Sequence, residues 1–399
     1  MNGGSPGSLR EGNRVRVVDA LRREVTASRS DLARLTGLSR TTVGSVVADL
    51  QARGLVVEDA PNGSHEQPGR GRPPVLLRLD PAAGVAVGID FDHDAVRVAL
   101  ADLSATVLGE DRREIDVDRS AADAIDAAVT MVQALQRAAG VDAAQMVGAG
   151  VGLPGPIDRR TGTVGSSAIL PGWAAVPARL ELGRRLGLHV EVDNDANLGA
   201  LAEASFGAGR GLADIVYVRL GSGLGAGFVL GGRLHRGATG LAGEIGHVQV
   251  RPDGAVCRCG NRGCLETIAA EGALKALLRP PSGGGLTTRG LLDLVATGDL
   301  GARRVFNDAG RAVGRVLADV CNALNPDAII VGGELSEAGE PLLGGIRDAV
   351  SRYTLPAAAQ AVEVMHAKLG ERAEVLGALA LVIGNAERLR SVGLAALAR

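Results

Sequence analysis

The sequence predicts an α/β protein in two parts: a small helical domain with a two-stranded wing over residues 1–80, and a larger two-lobed α/β domain over residues 81–399. Two observations support this fold class. The first eighty residues contain three stretches of helical spacing and then two short apolar strands, and after Pro81 strands alternate with helices. A chain of 399 residues is also too long for one compact core, so we expect more than one domain.

The N-terminal part divides into elements at recognisable capping residues. Apolar residues recur at helical spacing in the first helix. Ser30 is expected to cap the second helix, which ends at Gly37, and Ser39 is expected to cap the third. The predicted helices span residues 13–24, 31–37 and 40–54, and the predicted strands span residues 55–59 and 75–80.

Two of these helices have the pattern of a helix-turn-helix. That motif needs a small residue where its helices cross, a turn between them, and apolar anchors on the second helix. Ala33, Gly37, Val43 and Val46 supply these features at mutually consistent spacing. With the attached wing, the pattern favours a DNA-reading winged helix-turn-helix over a helical domain that has no nucleic acid partner. The side chains expected to face the major groove are Ser39, Arg40, Thr41, Thr42 and Ser45.

The predicted wing contains Arg70 and Arg72 on an extended Gly/Pro frame. Two such arginines suit a narrow, electronegative A·T-rich minor groove, and a solvated loop without specific contacts is the alternative. Residues 1–80 also hold twelve Arg against nine Asp and Glu, whereas the whole chain carries a net charge of −2. The local positive excess suits a phosphate-backbone partner.

The larger domain is expected to contain two related lobes, each opening with a hairpin of glycine-containing strands. A further strand follows near residue 328, and a helix near residues 371–386 closes the domain. We assign a small lobe to about residues 81–195 together with the C-terminal helix, and a large lobe to about residues 196–375. The predicted hairpins pair residues 84–90 with 95–102, and residues 214–220 with 225–232.

Four residues have the spacing of a structural zinc site. His247 is followed ten positions later by Cys257, then by Cys259 and Cys264. One imidazole and three thiolates complete a tetrahedral shell and leave no position open for a catalytic water. We therefore expect one structural Zn²⁺ per chain rather than free cysteines beside an unrelated histidine. Cys321 lies in an apolar helix and is expected to be a core residue.

The sequence contains no apolar run near twenty residues and no leading basic segment followed by an apolar one. These absences predict neither a membrane span nor a signal peptide, and they favour a cytoplasmic location. Four cysteines in a chain of this size do not suggest a disulfide framework.

Several motifs of the larger domain resemble, in order, those of the ROK family (repressor, open reading frame, kinase), which comprises bacterial sugar kinases and sugar-responsive repressors. The N-terminal head is similar to the one that repressor members carry. The resemblance implies an actin-like, sugar-kinase-like fold. The matching stretches are VGLPGPID (151–158), LPGW (170–173), VDNDAN (192–197), GSGLGAGFVLGG (221–232), GLAGEIGH (240–247), CRCGNRGCLE (257–266) and LNPDAIIVGGELS (324–336).

The resemblance also implies a sugar site. Asp195 matches the general base of family kinases, and Ile169 stands where the family usually has an Asn that can bond a sugar hydroxyl. This departure puts ordinary hexose recognition in question. The positions that match sugar-binding residues of the family are Asn194, Asp195, Glu244, His247 and Glu266. Such convergent acceptors suit a polyol.

One family motif is degenerate in this chain. Family kinases open the domain with Asp-x-Gly-Gly-Thr, whose glycines let the backbone approach the phosphates of ATP. Here the corresponding residues are Asp90 and the segment Phe91–Asp94, which has no glycine and two more acids. We therefore expect no kinase activity and regard Asp195 as a vestigial base.

These observations predict a DNA-binding transcriptional regulator, most simply a repressor, that senses a sugar or sugar derivative. Its expected partners are a palindromic double-stranded DNA operator, the effector and further copies of itself in a homodimer or homotetramer. Two alternatives remain: an active ATP-dependent sugar kinase with a DNA-binding head, and a regulator controlled by a protein partner.

Overall fold

A computed structural model describes residues 6–59, 75–158, 161–165, 169–278 and 285–396. It contains helices and sheets in the two-part α/β arrangement that the sequence predicts. None of the helices within these ranges is long and apolar enough to cross a membrane.

The N-terminal part packs three helices on a small antiparallel sheet, whose strand order is β1-β3-β2. Its apolar core includes Val17, Leu32, Val47 and Leu50, all fully buried. Strand β1 was not predicted, and the first helix begins at Pro6, earlier than expected. The elements are α1 (Pro6–Glu24), β1 (Ala27–Ser28), α2 (Arg29–Thr36), α3 (Arg40–Ala52), β2 (Val56–Glu58) and β3 (Leu76–Leu79).

The capping residue of α2 is Ser28, so the prediction of Ser30 was wrong. Ser28 has an extended backbone, and its hydroxyl accepts a hydrogen bond from the Asp31 backbone N–H. The Asp31 carboxylate accepts one from the Ser28 N–H in return, which completes a capping box. The other two predictions are confirmed: Gly37 ends α2 with φ +68°, and Ser39 caps α3 through the Thr42 N–H.

Five strands form the first sheet of the larger domain, in the order β10-β7-β4-β5-β6. The predicted hairpin of residues 84–90 and 95–102 is present as β4 and β5. Strand β6 extends the sheet at its edge and was not predicted, because most of its side chains are exposed and polar. These elements are β4 (Val85–Phe91), β5 (Ala95–Asp102), β6 (Val107–Glu114), α4 (Ala121–Ala138), β7 (Met146–Leu153), β8 (Ile157–Asp158), β9 (Thr163–Val164), α5 (Ala178–Leu186) and β10 (Val190–Asn194).

The second sheet has the order β13-β12-β11-β14-β15. Its antiparallel strands β11 and β12 form the second predicted hairpin. On the other side of β11, strand β14 runs parallel to it. Helix α6 joins the two sheets in the chain, since it follows β10 of the first and precedes β11 of the second. The elements from here are α6 (Asp195–Phe206), β11 (Ile215–Leu220), β12 (Leu224–Leu230), β13 (Arg233–His235), α7 (Glu266–Ala269), α8 (Glu271–Leu277), α9 (Thr288–Ala296), α10 (Leu300–Leu324), β14 (Ala328–Gly332), α11 (Glu340–Tyr353), α12 (Pro356–Ala361), β15 (Glu363–His366) and α13 (Ala373–Ala396).

Helix α13 returns from the second sheet to cover the first, and glycines allow it to pack closely there. A Cβ atom on Gly150 of β7 would lie 2.0 Å from the Ala378 carbonyl oxygen, and one on Gly88 of β4 would lie 2.6 Å from that of Val375. Within α13, a Cβ on Gly377 would lie 2.0 Å from the Leu198 carbonyl oxygen of α6. These glycines therefore set the distance between α13, α6 and the first sheet.

The close packing of α13 predicts opposite effects for two glycines of the same helix. Gly377→Ala should lower the free energy of unfolding by about 1–3 kcal/mol, because the new methyl group overlaps the α6 backbone. A Cβ on Gly384 meets nothing within 4 Å. Gly384→Ala should therefore raise stability by about 0.4–1 kcal/mol, since alanine restricts the unfolded chain. Thermal melting of both variants tests this, and equal melting temperatures would contradict the packing described above.

Candidate ligand cleft and metal centre

A small cavity lies where β10, the loops after β7 and β11, and the loop before α7 meet. Its volume is about 50 Å³. The structure brings all five residues of the predicted sugar site to its wall, together with Ile169. The five are Asn194, Asp195, Glu244, His247 and Glu266.

Asn194 and Asp195 stand at the junction of β10 and α6. The Asn194 Oδ1 atom caps α6 by accepting bonds from the Ala196 and Asn197 N–H groups, at 2.9 and 3.3 Å. Its Nδ2 atom donates to the Gly155 carbonyl oxygen at 2.9 Å. One amide N–H of Asn194 is thus left for a ligand, because the side-chain amide has only two.

Arg219, at the end of β11, connects Asp195 to two other carboxylates. Its guanidinium lies 3.4 Å from Asp195 Oδ2 and donates to Asp92 Oδ2 at 3.3 Å and to Glu374 Oε1 at 3.1 Å. The Arg219 side chain is only 12% exposed. One cation with three carboxylate neighbours is strongly held, because removing Arg219 would leave the buried carboxylates without a counter-ion.

The pKa values of the acids around Arg219 are shifted in different directions. Burial raises the pKa of Glu374 to about 7, although the Arg219 cation acts in the opposite direction. Burial and the neighbouring Glu374 and Asp92 raise the pKa of Asp90 well above its usual range. Asp92 is different: despite burial, the Arg219 cation holds its pKa below the ordinary value. Asp92 is therefore ionised at neutral pH, whereas burial and the acidic neighbours of Asp90 favour its protonated form.

The opposite wall of the cavity pairs Glu266 with a second arginine. Arg258 donates to Glu266 Oε1 at 3.2 Å and to Oε2 at 2.9 Å. Burial raises the pKa of Glu266, but the bonds from Arg258 and Cys257 outweigh it and the net pKa is lowered. Burial and the nearby Asp195 and Glu266 raise the pKa of Glu244 to about 7. The cavity thus presents two carboxylates bound by arginines and one that is partly protonated at neutral pH.

The four predicted metal-ligating residues lie together beside this cavity. The donor atoms of His247, Cys257, Cys259 and Cys264 are all within 4.8 Å of one another. Cys257 Sγ is 3.5 Å from His247 Nδ1, and Cys259 Sγ is 3.7 Å from Cys264 Sγ. Ideal tetrahedral zinc geometry requires about 3.5 Å between sulfur and nitrogen ligands and about 3.8 Å between two sulfurs. The residues therefore fit a tetrahedral metal ion.

His247 connects the metal-ligand cluster to the cavity. Its Nδ1 atom faces Cys257, and its Nε2 atom lies 3.8 Å from Glu244 Oε2. Glu266 Oε1 also accepts a bond from the Cys257 thiol at 2.8 Å. A metal ion on Nδ1 would therefore fix the orientation of the imidazole edge that faces the cavity.

A second, larger cavity of about 230 Å³ lies on the other side of Arg219. Seven Asp and Glu side chains line it against four Arg and Lys side chains. Phe91, at the start of the turn, does not line this cavity: it is 1% exposed and packs edge-on against Trp173, with ring centroids 4.9 Å apart. The side chains that occupy this cavity wall near the turn are instead those of Asp92 and Asp94.

The recognition helix α3 exposes most of the predicted DNA-facing side chains. Ser39, Arg40, Thr41 and Ser45 are exposed, whereas Thr42 is half-buried and its hydroxyl lies 2.8 Å from that of Ser39. The predicted wing arginines, Arg70 and Arg72, lie outside the described residues.

Sequence reasoning did not identify Arg219, Arg258 or Glu374. A signal existed for Arg219, because it is the single charged residue inside the otherwise apolar strand β11. A signal existed for Arg258 too, because in the sequence it lies between two predicted metal ligands, Cys257 and Cys259. Glu374 had no comparable local signal, since its role depends on residues far away in the chain.

The chain is similar over nearly its whole length to known regulators, and over its larger domain to sugar kinases. A putative xylose repressor from Caldicellulosiruptor sp. (strain Rt8B.4) is 30% identical over 395 residues, which cover 96% of this chain and 98% of the relative. A glucokinase from Thermotoga maritima is 34% identical over 310 residues, which cover 74% of this chain and 96% of the enzyme. A crystal structure of a ROK family transcriptional regulator, described as a homolog of the E. coli MLC protein, has a TM-score of 0.78 and 26% identity, with 96% and 98% of the two chains covered.

Two family models match the chain in succession. The MarR family model matches residues 11–64, which include α2 and α3, and the ROK family model matches residues 86–385, which include both sheets. The chain therefore belongs to the ROK family and carries a MarR-type helix-turn-helix ahead of its sugar-kinase-like domain.

Proposed function

We propose that this protein is a DNA-binding transcriptional repressor whose ROK domain senses a sugar or sugar derivative and performs no phosphoryl transfer. The observation that carries the proposal is the ion pair between Arg219 and Asp195, in a chain that also exposes a recognition helix. The name of the xylose repressor relative agrees with this function. We assign the DNA-binding domain to residues 1–80 and the sensing domain to residues 81–399, in a cytoplasmic protein.

The electrostatics of the cleft argue against a kinase. A general base must be free to face the attacking hydroxyl, but the Asp195 carboxylate is instead held in an ion pair, with Oδ2 3.4 Å from the Arg219 guanidinium. The adjoining cavity carries an excess of acidic side chains, which would repel a triphosphate. These arguments weigh against the alternative suggested by the glucokinase relative.

The small cavity suits a polyol with one less polar side. The carboxylates of Asp195, Glu244 and Glu266 offer acceptors around it. Ile169 also lines it and packs against Gly155, where a Cβ atom would lie 2.7 Å from the Ile169 Cδ1 atom. The hydrocarbon side chain of Ile169 cannot make the hydrogen bonds of the family's usual Asn. We therefore expect the effector to lack the hydroxyl group that an ordinary hexose would present to this residue.

Zinc is the metal that best suits the His247 and cysteine cluster, because a set of one imidazole and three thiolates is typical of structural zinc. When bound, it would hold the loop that carries Arg258 between two of its ligands. We further propose a homodimer or homotetramer, in which paired heads bind a palindromic operator.

The first prediction of this proposal concerns the metal. Purified protein should contain about one zinc per chain, and Cys257→Ala or Cys264→Ala should lose it and should melt at a lower temperature, because metal binding stabilises the folded loop. Elemental analysis and thermal melting measure both effects. Cys321→Ala, which removes the cysteine of helix α10, is the matched control and should keep its zinc. Full stability of the metal-free protein would refute the structural role.

The second prediction concerns phosphate transfer. With magnesium, ATP and a broad panel of sugars, the protein should form no ADP above background, because Asp195 is paired with Arg219 and the neighbouring cavity is acidic. A coupled ADP assay measures this. Sugar-dependent ADP formation that Asp195→Asn abolishes would overturn the proposal in favour of a kinase.

The third prediction concerns the DNA head, tested on a duplex that the protein selects from a random-sequence pool. Arg40→Ala should weaken binding by about 1–3 kcal/mol if its contact to a base is bidentate. Arg53→Ala is the matched control, since Arg53 lies beyond the other end of α3 and is paired with Asp49. Changing both Arg70 and Arg72 to Ala should weaken binding most on A·T-rich flanks and reduce its salt dependence.

Affinity measured at several salt concentrations separates the two kinds of DNA contact. If the wing variant loses affinity equally on A·T-rich and G·C-rich flanks, the wing contacts only phosphates and not the minor groove. Unchanged affinity of both the Arg40 and the wing variants would refute the helix-turn-helix as the DNA-binding element.

A further inference from the structure

Helix α6 begins at the ligand cleft and α13 begins at the adjoining larger cavity, and the same arginine holds both. Asp195 is the first residue of α6, and Glu374 is the second residue of α13. Their carboxylates lie 3.4 and 3.1 Å from the Arg219 guanidinium. Any change in the cleft that alters the pairing of Arg219 therefore acts directly on the first turn of each helix.

The two helices are joined along their length, so they are expected to move together. The missing Cβ of Gly377 lets α13 approach the α6 backbone at Leu198. Near the other end of α6, the fully buried Glu203 accepts bonds from the Lys368 and Leu369 N–H groups, each at 2.9 Å, in the segment that leads into α13. Close packing and buried charge-assisted bonds make this pair a stiff unit.

At the end away from the cleft, α13 and the segment just after α6 contact the last turn of α1 in the DNA-reading head. Arg22 donates from Nη2 to the Ile383 carbonyl oxygen of α13 at 2.6 Å. Arg210, just after α6, donates to the Arg23 carbonyl oxygen at 2.5 Å. Arg22 also donates to the Leu103 carbonyl oxygen at 3.3 Å.

The head and the larger domain also share apolar packing at this place. Leu103, in the turn between β5 and β6, is buried in the same cluster as Val17 and Leu21 of α1. Helix α1 in turn packs on α2 and α3 within that cluster. The position of α1 on the larger domain thus sets the direction in which the recognition helix points.

We propose that the packed pair of α6 and α13 couples the ligand cleft to the DNA-reading head, and that Arg22 and Arg210 are the positioning residues that hold the head on this pair. The inference rests on the proposed function. A ligand that bonds to Asp195 competes with Arg219 for its carboxylate and so shifts the first turns of both helices. Because coupling between two sites is reciprocal, DNA bound at the head must also act on the cleft.

The coupling can be tested in the full-length protein without an effector, by amide hydrogen exchange. In the first arm, Glu374→Gln weakens the contact with Arg219, and exchange is followed in residues 17–24 of α1. We expect exchange there to quicken by about fivefold or more, the lower limit of typical coupling between sites. Combining Glu374→Gln with Arg22→Ala and Arg210→Ala should abolish this increment, because the head then no longer senses the helices.

In the second arm, a duplex selected by the protein from a random-sequence pool is added, and exchange is followed in the first turns of α6 and α13. DNA should alter exchange there in the unmodified protein but not in the Arg22→Ala, Arg210→Ala double variant. Arg23→Ala is the matched control: it removes a neighbouring arginine whose side chain donates within α1, to the Asp19 carbonyl oxygen. This control should behave as the unmodified protein does.

The outcomes separate this inference from the function on which it rests. If DNA binds but leaves the cleft unchanged, or changes it equally in the double variant, the coupling is refuted and the repressor proposal stands. If the protein selects no duplex from the random-sequence pool, the repressor proposal itself is refuted. The first arm then still decides whether the cleft and α1 are mechanically linked, and an unchanged α1 in Glu374→Gln refutes that link.

Discussion

The burial of one guanidinium group organises the centre of this molecule. Arg219 could not be removed from water without partners, and its partners come from the end of β4, the start of α6 and the start of α13. The two sheets and the two long helices that cover them therefore meet at a single charge. The same group holds the pKa of Asp92 below its ordinary value, whereas burial raises the pKa of Asp90 well above its usual range.

Local rules predicted much of the fold. Hydrophobic periodicity identified the two hairpins and the C-terminal helix, and the left-handed backbone of Gly37 ended α2 where expected. The errors have local causes as well. Ser28 and not Ser30 caps α2, because only Ser28 has an acid, Asp31, three positions later to complete a capping box. Strand β6 was missed because it lacks the alternation of apolar and polar residues that indicates a strand. The contacts of Arg219 with Asp92 and Glu374 could not be predicted, because they join residues separated by more than a hundred positions.

The ligand cleft and the metal cluster share side chains, so neither can be changed alone. His247 offers one ring nitrogen to each, and Glu266 accepts a bond from the Cys257 thiol while it holds Arg258. Loss of a thiol proton on metal binding would remove that bond and leave more of the Glu266 carboxylate to Arg258. A bound metal would therefore change how the Glu266 carboxylate is shared among its neighbours. The spacing in the sequence revealed the cluster, but this dependence became visible only from the distances.

The position of α13 in the chain has a consequence for how the protein is made. Strands β4 and β7 leave the ribosome long before the helix that covers them, and the Ile383 carbonyl that anchors Arg22 appears only after every strand of the two sheets. The head has its own apolar core and can fold early, as N-terminal domains generally do during synthesis. A nascent or prematurely terminated chain would thus display a formed recognition helix with no anchor on α13. Under the proposed coupling, such a fragment would bind DNA without responding to the cleft, and that response would require the complete larger domain.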